Sequence, residues 1–228
     1  SPTPEREPNV RDAVHSGDFE RAEREYEELM LRGDLSAERR ALAVRDFVAV
    51  ASLDPASVQA DFVRNVSLLK QTIADVAVSS STRAENMNAL AEQFSRSGRD
   101  SGVFDAIFSG EPYASLKVDD QLELSVRNLY SEANKIHPTV RASINMSRIS
   151  VGRMWRYAQW SDETRQRAAS NAVQLLKQAD TLVPQEIAED PRYTASARYY
   201  DYLFRRPYII GGLALELGAP YDTGYRNA

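Results

Sequence analysis

The chain is predicted to be all-α, with antiparallel helix hairpins that form either a short α-solenoid or a compact helical bundle. Good helix formers dominate its 228 residues, and apolar residues recur at spacings of three and four. Ten glycines and ten prolines are too few for a protein of this size built from strands and turns. No segment alternates apolar and polar residues over the length of a strand, so essentially no sheet is expected.

Capping residues and helix breakers set the predicted helices of the first half. Asp18 and Ser36 are N-cap residues, and Pro55 suits a first helical position. After a linker at 79–82, Thr82 and Glu85 have capping-box spacing. The predicted helices are 9–16, 19–32, 37–52, 55–78 and 82–97. The buried stripe of helix 55–78 is expected to comprise Val63, Val66, Leu69, Ile73 and Val76.

Prolines divide the predicted helices of the second half. Pro138 opens one helix, Ser161 or Asp162 caps the next, and that helix stops before Pro184. Pro207 ends a further helix and separates it from the last one. The predicted helices are 103–108, 119–136, 138–159, 162–182, 191–206 and 208–217. The stripe of helix 138–159 is expected to comprise Val140, Ile144, Val151, Met154 and Ala158.

Residues 1–8 are expected to be a flexible leader and 9–228 a single helical domain, with any subdivision near the irregular stretch 99–118. The chain starts at Ser1 without an initiator methionine, and Pro2, Pro4 and Pro8 follow, which indicates a trimmed N-terminus. We therefore expect an exported protein, either periplasmic or a lipoprotein with an anchor upstream of Ser1; a cytoplasmic location is the alternative. The longest apolar stretch, 208–217, is too short to span a membrane.

Composition argues against several kinds of chemistry. The absence of cysteine excludes disulfides, thiolate nucleophiles and zinc–cysteine sites. The two histidines, His15 and His137, lie far apart, and neither follows a Glu-x-x-His pattern. Phosphate-binding glycine motifs and a nucleophile elbow are missing from the sequence, and a net charge of −5 disfavours nucleic-acid binding. We therefore predict a protein that is not an enzyme, with no cofactor and no metal.

Two regions are candidate binding surfaces. On helix 138–159, Arg141, Asn145, Arg148 and Gly152 share one stripe close to Arg156, and arginine forks suit carboxylate or phosphate partners. A solvated helix face explains the same pattern. In the aromatic C-terminal region, one predicted helical face is core and another is surface. The core set is Tyr193, Ala197, Tyr200 and Phe204; the surface set is Arg198, Tyr199, Tyr202 and Arg205.

Three segments resemble the second helix of a tetratricopeptide repeat. The first runs from Gly17 through Phe19 and Ala22 to Tyr26 and Leu29; the others comprise Ala43, Phe47, Val50 and Pro55, and Ala172, Leu176, Ala179 and Pro184. The resemblance implies stacked helical hairpins with a concave surface for a protein or peptide. The first two matches are 21 residues apart, shorter than the family's repeat of about 34 residues, and antiparallel helix pairs of any kind can produce this spacing.

Together these patterns predict a non-enzymatic module for protein–protein interaction or assembly, such as a scaffold associated with the cell envelope. Its partner would be a protein or peptide. The alternative is a helical binding protein that holds a small anionic or apolar ligand between its helices.

Overall fold

The structure is a computed structural model that describes residues 16–51, 62–97 and 118–217. These ranges contain eight α-helices, a short 3₁₀ turn at Tyr193–Ala195 and no strand, which confirms the all-α prediction. The helices are α1 (Phe19–Leu31), α2 (Ala37–Ala51), α3 (Phe62–Ala74), α4 (Ser80–Ser97), α5 (Val118–Ile136), α6 (Val140–Arg156), α7 (Asp162–Glu189) and α8 (Ala197–Leu217). The predicted helix 103–108 and nearly all of helix 9–16 lie outside the described residues.

The chain divides into two compact units, residues 1–129 and residues 130–228, with the boundary inside α5. Each unit is described by itself below. The subdivision that the sequence places near 99–118 falls almost wholly outside the described residues and stays a prediction.

In the N-terminal unit, α1 and α2 form a hairpin, because only residues 32–36 join two helices that pack against each other. The predicted caps are confirmed: the Asp18 carboxylate accepts the N–H of Arg21 at 3.2 Å, and Ser36 Oγ accepts the N–H of Arg39 at 3.3 Å. Helix α2 is central to this unit, since α1, α3 and α4 all pack on it.

The core of the N-terminal unit is built around buried phenylalanines. Phe62 and Phe94 meet edge to face with ring centroids 5.5 Å apart. The predicted stripe of α3 is only partly right, because Val66 and Leu69 are buried whereas Val63 and Val76 are exposed. Helix α3 ends at Ala74, short of the predicted 78, so Val76 lies in the following turn.

The start of α4 differs from the prediction by one turn. The N-cap side chain is Ser79, whose Oγ accepts the N–H of Thr82 at 3.2 Å, and residues 80–82 are helical, not linker. Glu38 of α2 completes the cap, accepting the N–H of Ser79 at 2.7 Å and its hydroxyl at 2.9 Å, and a further hydrogen bond from the Thr82 hydroxyl. A carboxylate from another helix thus replaces the local glutamate of a capping box.

Replacing Glu38 with alanine is expected to destabilise the N-terminal unit by about 2 kcal/mol, because three hydrogen bonds to a charged acceptor are lost. Burial raises the pKa of Glu38, but hydrogen bonds from Thr82 and Ser79 outweigh burial and lower it overall. A lowered folded-state pKa means that this stabilisation is present above roughly pH 4.3 and is lost as the pH falls through the folded-state value.

Urea unfolding at several pH values tests this expectation. The stability difference between the wild type and Glu38→Gln should be largest at neutral pH and shrink as the medium becomes acidic. A difference that stays constant from neutral to strongly acidic pH would show that the Glu38 charge does not hold the cap.

In the C-terminal unit, α6 packs against both α7 and α8. Thr139 caps α6, one residue after the proline predicted to open it, and Ser161 caps α7 by accepting the N–H of Thr164 at 3.2 Å. Four of the five predicted α6 stripe residues are buried; Ala158 is exposed because α6 ends at Arg156. The core cluster includes Ile144, Met154, Leu176, Ile209 and Leu213.

The predicted helix breaks at Pro184 and Pro207 are wrong, since α7 continues to Glu189 and α8 to Leu217. A proline inside a helix costs about 3 kcal/mol, so the segments beyond each proline must contribute compensating contacts. Beyond Pro184, the Glu186 carboxylate accepts the N–H of Val140 at 2.9 Å at the start of α6. Beyond Pro207, Ile209 and Leu213 are fully buried in the core.

Gly212 lies at a close approach of α8 to α6, because a Cβ at this position would overlap Cγ1 of Val151. Val151 is fully buried and β-branched, so its side chain has little room to move. We expect Gly212→Ala to destabilise the unit by about 1 kcal/mol: overlap costs about 1–3 kcal/mol and better helix propensity returns about 1 kcal/mol.

Gly152 provides the matched control for this substitution. It lies inside α6, and among the described residues no other side chain comes within 4 Å of the position that its Cβ would occupy. Gly152→Ala should therefore stabilise the unit by up to about 1 kcal/mol. Thermal unfolding followed by circular dichroism measures both effects. Equal effects of the two substitutions would contradict a close contact at Gly212.

Candidate interaction surface

Helix α8 is apolar on two opposite faces. One face is buried and carries Tyr202, Ile209, Ile210 and Leu213. The other, here named the aromatic face, consists of Tyr200, Phe204, Tyr208 and Leu215, whose exposed fractions are 63%, 80%, 53% and 73%. Scattered exposed apolar residues are ordinary, but four on one helical stripe form an apolar patch of the kind that marks interaction sites.

Trp155 of α6 extends this patch. Its ring is half-exposed, and its Nε1 lies 3.4 Å from the position that a Cβ on Gly212 would occupy. Gly212 is buried against α6 and lies four residues after Tyr208 and three before Leu215 on α8. The indole therefore adjoins the aromatic face where α8 lacks side chains.

The sequence-based choice of faces in this region is wrong. Tyr200 and Phe204, expected in the core, are exposed, whereas Tyr202, expected at the surface, is buried. Tyr193 is buried as expected, but it lies in the 3₁₀ turn before α8. Its burial therefore does not indicate which face of α8 is buried. Extending the helical period through Pro207 would have placed Tyr202 on the same face as Ile209 and Leu213.

A polar cluster fixes α8 against α7. The Asp180 carboxylate accepts two hydrogen bonds from Arg206, at 2.9 and 3.1 Å, and a further one from the Tyr202 hydroxyl. Burial, followed by the hydrogen bond to Asp180, raises the pKa of the Tyr202 phenol, so the hydroxyl stays protonated and donates. Since its charged and polar groups bind one another, this cluster acts as a structural clamp.

A cavity of about 380 Å³ lies beside the clamp, lined in part by Pro184, Tyr199 and Pro207. Both prolines that were predicted to break helices therefore border the clamp between α7 and α8. The clamp holds the orientation of α8, and with it the direction in which the aromatic face points.

The other binding residues predicted on α8 contact their neighbours. Arg198 forms an ion pair with Asp190 at 3.3 Å and lies over the Tyr193 ring. Tyr199 is partly buried and its ring lies 5.5 Å from that of Tyr193. Arg205 forms an ion pair with Asp201 at 2.8 Å.

The predicted arginine stripe of α6 lies partly against α8. Asn145 is buried and donates to the Asp201 carboxylate at 3.4 Å, so Asp201 joins Asn145 to Arg205. Arg141, Arg148 and Gly152 are partly exposed and Arg156 is exposed. The structure thus brings the two predicted surfaces together at Asp201, while their binding role stays a prediction.

Groups suited to metal or acid–base chemistry do not converge in the described residues. His137 Nε2 lies 3.9 Å from a Glu189 carboxylate oxygen at the partly exposed end of α5, and His15 lies outside the described ranges. Over 16–51, 62–97 and 118–217, no three metal-ligating side chains cluster. Within the same ranges, every helix is too short or too polar to cross a lipid bilayer.

No protein-family model, curated protein or solved structure matches this chain. The tetratricopeptide resemblance, the exported location and the absence of enzymatic activity therefore stay predictions.

Proposed function

We propose that this protein is a non-catalytic interaction module that binds a protein or peptide partner through the aromatic face of α8. The observation that carries the proposal is the exposure of Tyr200, Phe204, Tyr208 and Leu215 on one side of a helix whose opposite side is anchored in the core. Burying a large apolar side chain contributes about 1.5–3 kcal/mol of favourable free energy. The side chains of this face are exposed, so a partner that covers them would gain this contribution on binding.

The residue types of the face support protein binding. Tyrosine and tryptophan are enriched among the residues that dominate binding energy, since each contributes a large rigid surface with a polar tip. The backbone beneath them is a helix held by the Asp180 clamp, so little order needs to be gained on binding. A partner that presents an apolar groove or a second helix fits anchors at 200, 204 and 208, which repeat every helical turn.

Affinity capture from the native cells, quantified by mass spectrometry, tests the proposal. The double variant Tyr200→Ser with Phe204→Ser should reduce enrichment of the bound partner at least tenfold. Both side chains are exposed, so this variant should unfold at the wild-type temperature. The matched control, Lys177→Ser with Gln178→Ser, changes two exposed positions of α7 and should retain the partner.

A second variant separates this surface from the arginine surface predicted from sequence. Arg148→Ala with Arg205→Ala should leave the partner bound if the aromatic face carries recognition. Loss of the partner with the arginine variant, together with retention by the serine variant, would contradict the proposal.

A further inference from the structure

The N-terminal unit contains a cleft of about 490 Å³. It lies over α2, between α1 and α3, which both pack on α2. Its volume is in the range of small-molecule sites. The sides and floor of the cleft are largely apolar and include Met30, Val44, Phe47 and Leu68.

The lining of the cleft includes a partly exposed ion pair. Arg64 of α3 binds Glu27 of α1 at 2.9 Å, and its guanidinium lies 4.9 Å from the centre of the Phe47 ring. These two charges neutralise each other, and the arginine is held over the aromatic floor. Neither charged group therefore requires a ligand of opposite charge.

Arg40 of α2 also lines the cleft, and its charge is differently placed. It donates to the backbone carbonyl of Arg32 at 3.2 Å and makes no ion pair within the described residues. The remaining charged lining residue, Asp75, accepts the N–H of Ala77 at 2.9 Å in the turn after α3. Arg40 therefore brings to the edge of the cleft a guanidinium that has no ion pair within the described residues and that holds the Arg32 carbonyl with one of its five donors.

We infer that this cleft binds a small amphipathic ligand with a hydrocarbon body and a carboxylate head. The hydrocarbon body would contact Val44, Phe47 and Leu68, and the carboxylate would accept a forked pair of hydrogen bonds from Arg40. An anionic head suits Arg40, the lining cation that lacks a carboxylate partner in the described residues, while the lining carboxylate of Asp75 already accepts the N–H of Ala77.

Titration of the full chain with dodecanoate, below its micelle concentration, tests the inference by calorimetry. Dodecanoate should bind saturably with one site, and Arg40→Gln should weaken binding at least tenfold. Arg39→Gln removes the same charge from the neighbouring exposed position and should leave the affinity unchanged. Dodecan-1-ol should bind at least tenfold more weakly than dodecanoate and should not respond to Arg40→Gln.

Ala37→Phe supplies a second test that removes no native contact. Ala37 lines the cleft, so the added ring should occupy the hydrocarbon site and abolish dodecanoate binding while the chain remains folded. Absence of saturable binding by the wild type, or equal affinities of the Arg40→Gln and Arg39→Gln variants, would overturn the inference. So would dimerisation of the wild type that Ala37→Phe abolishes, because a second copy would then be the occupant.

Discussion

Replacing Leu213 with aspartate is expected to destabilise the C-terminal unit by at least about 4 kcal/mol, whereas Leu215→Asp should change its stability by less than about 0.5 kcal/mol. Leu213 is fully buried and Leu215 is mostly exposed, although only two residues separate them on α8. A carboxylate at 213 would replace apolar contacts in the core and would lack a counter-charge.

The contrast between these two leucines tests which side of the segment after Pro207 packs into the core. If Leu213 did not lie in the core, both leucines would be exposed, and the two substitutions would have similar effects. Urea unfolding followed by circular dichroism measures the difference. Similar stabilities for the two aspartate variants would contradict the orientation of α8 described above.

Asp180→Ala is expected to lower the unfolding free energy of the C-terminal unit by about 3 kcal/mol, which is the second largest effect expected among these substitutions. The substitution removes the acceptor for Arg206 and for the Tyr202 hydroxyl, and it leaves a partly buried guanidinium without its carboxylate. Because both groups lie on α8, the substitution weakens the α7–α8 contact that orients the aromatic face.

Glu163→Ala is the matched control for Asp180→Ala. Glu163 is also on α7 and forms an ion pair with Arg167 at 3.5 Å, but both side chains are largely exposed to solvent. Its removal should change the unfolding free energy by less than about 0.5 kcal/mol. If the two alanine variants had equal stability, the Asp180 cluster would be a surface ion pair and not a clamp.

The sequence predicts the fold class and most helix starts well because both depend on local signals, although α8 begins at Ala197 and not at the predicted 191. Asp18 and Ser36 cap the helices that they were expected to cap, using hydrogen bonds within their own first turns. The start of α4 was missed because its cap is completed by Glu38, which is 41 residues away from Ser79 in sequence. A contact at that separation leaves no local signal.

The aromatic face was missed for a related reason. Proline is a strong local helix breaker, so the sequence predicts a helix end at Pro207. The buried residues beyond Pro207, which show which face of α8 packs into the core, then belong to a different predicted helix. On a helix that ends at 206, Tyr193, Ala197, Tyr200 and Phe204 share one face, and this pattern predicts that Tyr200 and Phe204 are core. Burial of Ile209 and Leu213 in the core outweighs the tendency of Pro207 to break the helix. This burial depends on contacts with other helices, so it cannot be predicted from the residues around Pro207.

Site-specific photocrosslinking in the native cells tests most directly whether the aromatic face of α8 binds a protein partner. A benzophenone side chain at position 204 should yield a crosslinked adduct of one defined mass. The same group at position 177, an exposed position on α7, should not yield that adduct. No adduct from position 204, or identical adducts from both positions, would contradict the claim.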